Sequence, residues 1–405
     1  MKKHIFFLLL GLIFTASCIF YVPYIEEAPP PEPEEEYYEE PYEEPYEEPA
    51  PSLGLDVSYY YDYLSPHGIW IYHPIYRYIW VPSNMSYGWR PYTYGHWVWT
   101  DYGWTWHSQV IWGWAPFHYG RWGWERDLGW FWVPGTVWGP GWVTWRSSDI
   151  YIGWAPLPPG ARFIAGIGIR RLTVRILPSR WVFVDMNYFL NRSIHRYVFP
   201  YERNVTIINY TVHNTNIYVR NNRIINGGID VNHIQRVTRQ KITKHELKDV
   251  TKAEVRRISP GELEVYRPKI KKSRVAKPKT VLNKNEAKVR ISKSKTVVTK
   301  PDKKMTPAAK ERSIREVHER EVRLLEGSQQ KDMKLLERKL KEKKTTAKTQ
   351  TEKTKIEKEY KEKVSKLKKS HEEEKSKIKE RHKKEEEKAK GKTTEKKKVK
   401  KKKKK

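Results

Sequence analysis

The middle of the chain contains short runs in which bulky apolar and polar residues alternate. Trp97 and Trp99 are two residues apart, so both indoles would lie on one face of a β-strand. A second pair with the same spacing, Trp104 and Trp106, follows after a short turn that ends in glycine. These runs predict a β-hairpin in which Trp99 faces Trp104 and Trp97 faces Trp106.

The same pattern recurs in the next repeat. Trp122 and Trp124 precede a turn that ends in Gly129, and Trp130 and Trp132 follow it. This spacing predicts a second hairpin, with Trp124 opposite Trp130 and Trp122 opposite Trp132. Cross-strand aromatic pairs of this kind stabilise a sheet.

A repeated motif frames these hairpins. The pattern Gly-Trp-x-Pro-x-x-x-Gly stands at 88–95, 113–120 and 153–160. Together with the alternating runs, the repeats predict a Trp-rich module over residues 56–165, built of repeated β-hairpins that form a small antiparallel sheet. We therefore expect a fold that is mainly β.

A second β-rich segment is predicted over residues 166–250. Residues 206–208 and 217–219 have the β-branched composition of strands, and Asn221-Asn222 suits a tight turn. Asp230 is placed to cap a short helix that runs to residue 237. The pattern leaves open whether this segment and the Trp-rich module form one domain.

From residue 251 the sequence becomes charged and contains several prolines. Residues 251–305 predict a basic disordered linker with one helix start at 259–262, where Ser-Pro-Gly-Glu matches a capping box. Residues 306–392 predict a charged helix with a weak coiled-coil seam. Residues 393–405 are mostly lysine and predict a disordered tail.

The first 18 residues have the pattern of an export signal. Two lysines precede the apolar run 5–14, which is too short to span a bilayer. Small residues stand before Cys18, as in the lipobox of bacterial lipoproteins, although Thr15 stands where leucine is usual. This predicts lipidation of Cys18, and the alternative is cleavage by the general signal peptidase without a lipid. Since Cys18 is the only cysteine, an internal disulfide is excluded.

Residues 19–55 have a low-complexity acidic sequence. They contain three Tyr-Glu-Glu-Pro repeats and 12 Glu, and they contain neither Lys nor Arg. Such a segment cannot bury a core, so it is predicted to be an extended, disordered tether. Either the tether is a spacer without a partner, or it contacts the basic end of the chain.

The net charge of +31 belongs to the C-terminal part of the chain. Residues 1–240 contain 19 basic and 21 acidic residues, whereas residues 241–405 contain 60 basic and 27 acidic residues. A lysine-rich end favours anionic partners. For an exported chain these are anionic envelope polymers or lipid headgroups, contacted through residues 306–405. Nucleic acid is the alternative if the chain stays uncleaved in the cytoplasm.

Motifs of known catalysis or metal binding do not occur in the sequence. It contains no H-E-x-x-H, G-x-S-x-G or Walker motif, so neither a catalytic residue nor a cofactor is predicted. Glu125 and Asp127 could form the acid/base pair of a glycosidase, but they lie in the predicted hairpin turn, where solvated carboxylates are common. His96, His107 and His118 are spaced by 11 residues and would bind a metal only if they converged, so a metal site is not predicted.

The chain has 18 tryptophans, which is more than one small core needs. Because a small module buries only part of its surface, we expect some indoles on an open face that stacks sugar rings or protein side chains. The alternative is that the indoles form the core and arginines cover their edges. The predicted face consists of Trp97, Trp99, Trp104, Trp106, Trp122, Trp124, Trp130, Trp132 and Arg121.

Several of these motifs resemble a known family. Residues 113–122 (GWAPFHYGRW), 132–135 (WVPG) and 153–160 (GWAPLPPG) are similar to a family of exported bacterial proteins, domain of unknown function 6600. The resemblance covers about residues 58–165 and extends to 221–227 (NNRIING). It implies an envelope protein with a β-rich aromatic domain, and it implies no reaction.

The sequence as a whole predicts an exported, lipid-anchored protein of the bacterial cell envelope that is not an enzyme. Its lipid on Cys18 would attach it to a membrane, facing the periplasm or the exterior. Its aromatic module would contact peptidoglycan, another polysaccharide or a protein, and its basic end would bind an anionic envelope polymer. The alternatives are a glycan-modifying enzyme and a non-specific nucleic-acid binder.

Overall fold

The computed structural model describes residues 55–83, 85, 88–161, 163–164, 166–169, 175–214, 216–254, 257–294 and 307–402. All of them lie within one compact unit, Pro45–Lys405. The predicted signal segment 1–18 with Cys18, the tether 19–55 except its last residue, and the last three lysines lie outside the described residues.

The described residues form strands up to residue 271 and long helices beyond it. The strands are β1 (Leu55–Asp56), β2 (Gly68–His73), β3 (Arg77–Pro82), β4 (Gly95–Thr100), β5 (Gly103–Ser108), β6 (Arg121–Glu125), β7 (Gly129–Val133), β8 (Val143–Ser147), β9 (Tyr151–Pro156), β10 (Gly168–Ile169), β11 (Val182–Asp185), β12 (Val212–Asn214), β13 (Ile217–Arg220), β14 (Arg223–Asn226), β15 (Glu246–Asp249), β16 (Ile258–Ser259), β17 (Glu262–Val265) and β18 (Ile270–Lys271). The helices are α1 (Ser58–Leu64), α2 (Asn204–Asn209), α3 (Val231–Thr238), α4 (Lys284–Ser294), α5 (Pro307–Thr346) and α6 (Gln350–Lys402).

Several small sheets, mostly antiparallel, make up the β-rich region. Their strand orders are β2-β3-β7-β6, β10-β13-β14-β5-β4, β11-β9-β8-β12, β15-β17-β16 and the pair β1-β18. Strands that follow residue 166 complete sheets that begin in the Trp-rich module, since β12 pairs with β8 and β14 pairs with β5. The two β-rich segments of the sequence therefore share sheets.

Both predicted Trp hairpins are confirmed, including their register. Gly103 ends the turn of the first hairpin with a φ of +79°, and a Cβ there would lie 2.0 Å from the carbonyl oxygen of Asn226. Glycine is needed at this position because β14 approaches β5 there. The facing pairs are Trp97–Trp106, Trp99–Trp104, Trp122–Trp132 and Trp124–Trp130.

The core of the β2-β3-β7-β6 sheet is a row of four indoles. Trp70 lies opposite Trp80, Trp80 opposite Trp132, and Trp132 opposite Trp122, and all four side chains are buried. On the other face of the sheet, isoleucines of β2 and β3 pack with Phe131 of β7. The sheet therefore buries both faces, which explains why both sets of alternating side chains are large and apolar.

Part of the predicted disordered linker is ordered. Within 251–305 the structure forms β16, β17, β18 and α4. The 259–262 pattern is not a helix start, because proline followed by Gly261 at φ +80° forms the turn between β16 and β17. Ala287 and Ile291 of α4 cover the isoleucine face of β2 and β3, and this burial orders a segment whose sequence is mostly polar.

Residues 206–208, predicted as a strand, belong to α2, so that prediction was wrong. Asn204 donates to the carbonyl oxygens of Pro178 and Trp181 at 2.7 and 2.8 Å, and a helical turn buries Ile207 beside it. These contacts outweigh the strand propensity of β-branched residues.

The other elements predicted in this segment are confirmed. β13 and β14 flank the turn Asn221-Asn222, and both turn residues have positive φ, as a two-residue hairpin turn requires. Asp230 caps α3, since its carboxylate accepts a hydrogen bond from the backbone N–H of His233 at 2.8 Å.

The single charged helix predicted for 306–392 is a helical hairpin of α5 and α6. The chain turns at 347–349, where Thr349 and Glu352 form a capping box: each side chain accepts from the other's backbone N–H at 3.1 Å. α6 continues to Lys402, so most of the predicted disordered tail is helical. Within the described ranges, none of the helices has an apolar stretch that could span a bilayer.

Candidate functional site

The structure places most of the predicted aromatic face in the core. Trp99 and Trp130 are half-buried, and Trp124 is 36% exposed. The remaining five indoles are buried, which leaves no surface for a ligand at those positions. They are Trp97, Trp104, Trp106, Trp122 and Trp132.

The repeated Gly-Trp-x-Pro loops accept hydrogen bonds from three buried indoles, two of which belong to the predicted face. Trp122 donates its indole N–H to the carbonyl oxygen of Pro116 at 2.8 Å, and Trp132 donates to that of Tyr119 at 2.7 Å. Trp154 does the same with Tyr92, in the first copy of the loop, at 3.0 Å. The carbonyl oxygens of the loops thus accept hydrogen bonds from buried indole N–H groups, whose burial without a partner would be unfavourable. The motif therefore has a structural role.

Arg121 also belongs to the core and not to an open face. Its guanidinium carbon lies 3.8 Å from the ring centre of Trp142, and its Nη1 donates to the carbonyl oxygen of Gly120 at 2.8 Å. The side chain is buried, so the arginine covers an indole, as the core-only alternative predicts.

One partly exposed pair of indoles remains on the edge hairpin β6-β7, Trp124 and Trp130. The guanidinium carbon of Arg180 lies 3.5 Å from the ring centre of Trp124 and 5.9 Å from that of Trp130. Sequence spacing did not indicate Arg180, because it follows the hairpin by some fifty residues and reaches it only through the fold. The candidate aromatic surface is therefore Trp124, Trp130 and Arg180.

The carboxylates considered as a glycosidase pair have structural partners. The backbone N–H groups of residues 75 and 76 donate to Nδ1 of His73, so its Nε2 carries the proton that is donated to Glu125 at 2.8 Å. Lys284 of α4 binds the other oxygen of Glu125 at 2.7 Å, and Lys288 binds Asp127 at 3.1 Å. The hydrogen bond from His73, reinforced by Lys284, lowers the pKa of Glu125 to about 2, the opposite direction from the raised pKa that a general acid needs.

The three evenly spaced histidines do not converge. The rings of His96 and His107 are 5.2 Å apart, whereas His118 stacks on Trp138 and bonds the carbonyl oxygen of Gly139 at 2.9 Å. Burial lowers the pKa of both His96 and His118 to about 4. Among the residues that the structure describes, no three His, Cys, Asp or Glu side chains are grouped as metal ligands.

The base of the helical hairpin, which consists of residues 307–333 of α5 and 371–387 of α6, closes around one arginine of the β-rich region. Arg203, at the end of the 3-10 turn Tyr201–Arg203, donates to both carboxylate oxygens of Glu374 on α6 at 3.0 and 3.2 Å. It also binds Asp332 on α5, and its Nε donates to Ser328 at 2.9 Å. Side-chain exposure is 0% for Arg203 and Asp332 and 5% for Glu374. Because buried carboxylates need a counter-charge, Arg203 determines where both helices lie.

A second ion cluster reinforces this contact. Arg381 of α6 bonds Glu202, the neighbour of Arg203, at 2.6 Å and Glu321 of α5 at 2.8 Å. Tyr151 of β9 donates to Asp332 at 2.6 Å. The base is thus docked on the β-rich region by buried polar contacts.

Charge is segregated along the hairpin. The base, residues 307–333 and 371–387, contains 12 basic and 13 acidic residues. The distal part, residues 334–370, contains 15 basic and 6 acidic residues. The base contains the carboxylates that hold Arg203 and Arg381, so the excess positive charge of this part of the chain lies outside the base. It lies in the distal part and in residues 388–405, which contain 12 basic residues and 1 acidic residue.

A groove of about 820 Å³ lies between the two helices near the turn of the hairpin. Lys344 pairs with Glu357, and Arg338 lies 3.6 Å from Glu342. The structure describes no ion pair for the other three lysines of the groove. The lining residues are Lys334, Glu337, Arg338, Leu340, Lys341, Lys344, Thr345, Ala347 and Lys353.

Comparison with known proteins agrees with the motif resemblance. Residues 61–161 match the model of a family of unknown function (DUF6600), which confirms the resemblance seen in the Gly-Trp-x-Pro motifs. The matched stretch contains both Trp hairpins and all three motif copies, and it ends before the helical hairpin. No curated protein and no solved structure matches the chain.

Proposed function

We propose that this chain is an exported, lipid-anchored protein of the bacterial cell envelope that binds an anionic envelope polymer through the distal part of its helical hairpin. The supporting observation is the segregation of charge, with a neutral base docked on the β-rich region and a distal part of 15 basic and 6 acidic residues. A region in which basic residues far outnumber acidic residues attracts polyanions. The β-rich region is a rigid support in this proposal, and the proposal contains no catalytic step.

The proposal is tested by matched charge variants of the full mature chain. One variant replaces three lysines of the distal groove by glutamine, at Lys334, Lys341 and Lys353. The control replaces three exposed lysines of the base, at Lys377, Lys379 and Lys383. Both variants lose three charges, so only the position of the lost charge differs.

Retention on purified envelope fragments at low ionic strength should fall several-fold in the distal variant and stay near wild type in the control. Equal loss in both variants would show that net charge alone governs retention and would refute a site in the distal part. Release of soluble fragments from purified peptidoglycan by the wild-type chain would contradict the non-enzymatic role.

The lipid anchor is tested separately. Mass spectrometry of the mature N-terminus should show a diacylglyceryl group on Cys18. A mature chain that begins at any residue beyond Cys18 and carries no lipid would refute the lipid anchor. It would still agree with export of the chain.

The Trp124 surface supports a second, weaker site for glycan contact. Trp124 is the one tryptophan of the predicted face that is well exposed, and Arg180 lies against its ring. Binding of N-acetylglucosamine oligomers should weaken at least about tenfold in Trp124→Ala. It should not change in Tyr72→Ala, which removes an exposed ring from β2 at the other edge of the same sheet. The same affinity in both variants would exclude a stacking site on Trp124.

A further inference from the structure

A cleft of about 300 Å³ opens beside the tip of the β13-β14 hairpin, away from the helical hairpin's groove. Three segments that are distant in sequence meet there: the β4-β5 turn with Asp101, the β13-β14 turn, and the stretch before β15 with Lys244. The cleft is lined by Asp101, Arg220, Asn221, Arg223, Ile225 and Lys244.

The cations of this cleft are not matched by carboxylates. Arg220 lies directly opposite Arg223 across the two-residue turn, and like charges at such positions destabilise a hairpin. Asp101 accepts from Arg223 at 2.8 Å. Within the described part of the chain, neither Arg220 nor Lys244 has an ion pair or a side-chain hydrogen bond. The cleft therefore contains two positive charges in excess.

The central guanidinium is held in place before any ligand arrives. The guanidinium carbon of Arg223 lies 5.2 Å from the ring centre of Tyr102, a cation–π contact. The guanidinium carbon of Arg267 lies 4.9 Å from the same ring centre. Asp101 is fixed in turn, because its second oxygen accepts from the backbone N–H of Leu247 at 3.3 Å. A guanidinium that is already oriented loses little conformational entropy when it binds an oxyanion.

We propose that this cleft binds a small ligand through one oxyanion group, a phosphate or a carboxylate, and that the ligand is about the size of one sugar unit. Arg220, Lys244 and the remaining N–H groups of Arg223 neutralise the anion. Asp101 and Asn221 can bond hydroxyl groups next to it, and Ile225 forms an apolar wall. Occupation of the cleft relieves the repulsion between Arg220 and Arg223. This site is independent of polymer binding by the helical hairpin.

The test uses four probes on the full chain: inorganic phosphate, glucose 6-phosphate, glucuronate and neutral glucose. Binding is measured by calorimetry and by the rise of the melting temperature with probe concentration, at low ionic strength. We expect saturable binding of at least one anionic probe and none of glucose. The comparison of phosphate, sugar phosphate and uronate shows which oxyanion is preferred and whether the sugar contributes.

Two variants localise the binding. The double variant Arg220→Gln, Lys244→Gln should lose affinity at least about tenfold, because two charge-assisted contacts are lost. The double variant Lys248→Gln, Lys252→Gln is the matched control, since it removes two charges from exposed positions outside the cleft and should bind within about twofold of wild type. Without a probe, the cleft variant Arg220→Gln, Lys244→Gln should melt at the same or a higher temperature than wild type, because repulsion is relieved.

Either of two results would overturn the proposal. One is no saturable binding of any anionic probe up to about 20 mM, a concentration well above the millimolar dissociation constants expected of weak sites. The other is an equal loss of affinity in the cleft variant and in the control variant Lys248→Gln, Lys252→Gln, which would show a diffuse effect of net charge.

Discussion

Arg203 is the residue on which docking of the helical hairpin depends most. Replacing it by methionine keeps most of the side-chain volume and removes the charge that faces Asp332 and Glu374. Both carboxylates are almost fully buried, so they would be left without their counter-charge. Breaking such a pair from one side costs about 3–5 kcal/mol.

This loss should open the hairpin more than it unfolds the sheets. Native-state hydrogen exchange of α5 and α6 amides near the base should accelerate by about 10² or more, since 1.4 kcal/mol corresponds to a factor of ten. Amides of the β2-β3-β7-β6 sheet, which buries its own core, provide the internal reference. Arg323→Met is the control, because its pair with Glu319 lies on the exposed side of α5 at 3.9 Å and contributes at most about 1 kcal/mol.

A charge-free variant gives a stricter test of the same reasoning. Arg203→Met, Asp332→Leu and Glu374→Met together remove the charges at the centre of the cluster, and exchange should return toward the wild-type rate, because a buried ion cluster can be replaced by apolar side chains. Unchanged exchange of α5 and α6 in Arg203→Met, or equal acceleration in Arg323→Met, would refute the assignment of the docking contact to Arg203.

Three further predictions concern the β-rich region. Burial lowers the pKa of His118 to about 4, below the ordinary value of 6.5, so its contribution to stability is complete above pH 6.5 and is lost as the pH falls toward 4. The loss of unfolding free energy between pH 7 and pH 5, measured by denaturant unfolding, should therefore be about 2 kcal/mol smaller in His118→Gln than in wild type, and an equal loss would contradict the assignment. Trp132→Ala should lower the free energy of unfolding by about 3–5 kcal/mol, and Trp124→Ala by less than about 1.5 kcal/mol, because only the first indole is fully buried; similar values would contradict the core assignment. Gly103→Ala should lower the melting temperature more than Gly88→Ala, since both glycines have positive φ but only the Cβ at Gly103 meets a carbonyl oxygen, and equal shifts would leave strain as the only cause.

Local pattern was sufficient to predict the Trp hairpins with their register. Period-two spacing of indoles and a glycine at the end of each turn determine which residues face each other, and both are visible in sequence. The same holds for the Asn221-Asn222 turn and the cap at Asp230. In each case the deciding contacts lie within about ten residues.

The elements that were mispredicted depend on distant contacts. α2 forms where Asn204 reaches carbonyl oxygens of residues 178 and 181, and α4 forms where Ile291 covers the outer face of β2 and β3. Burial of five of the eight indoles in the predicted face could not be seen either, because it depends on packing against distant segments: Trp97 packs on Trp145 and Trp154, and Trp104 donates to the carbonyl oxygen of Ile229. Composition alone does not distinguish a large aromatic core from an aromatic surface.

The docking site on the hairpin did leave a signal in the sequence. Ser328, Asp332, His371 and Glu374 interrupt the apolar seam of α5 and α6 at helical spacing, whereas Leu335, Leu336 and Leu367 continue it toward the distal part. Buried polar residues at seam positions need hydrogen-bond partners, and here a third element packed against the helix pair supplies them. The identity of that partner, Arg203, follows only from the fold.

The salt dependence of polyanion binding tests the central proposal most directly. The association constant of the full chain for polygalacturonate is measured over a range of salt concentrations, and its logarithm is plotted against the logarithm of the salt concentration. The slope should be smaller in magnitude by about 2 in the variant that lacks Lys334, Lys341 and Lys353, because binding then releases fewer counterions from the polymer. It should not change in the variant that lacks Lys377, Lys379 and Lys383. Equal slopes for the two variants would contradict a binding site at the distal end of the hairpin.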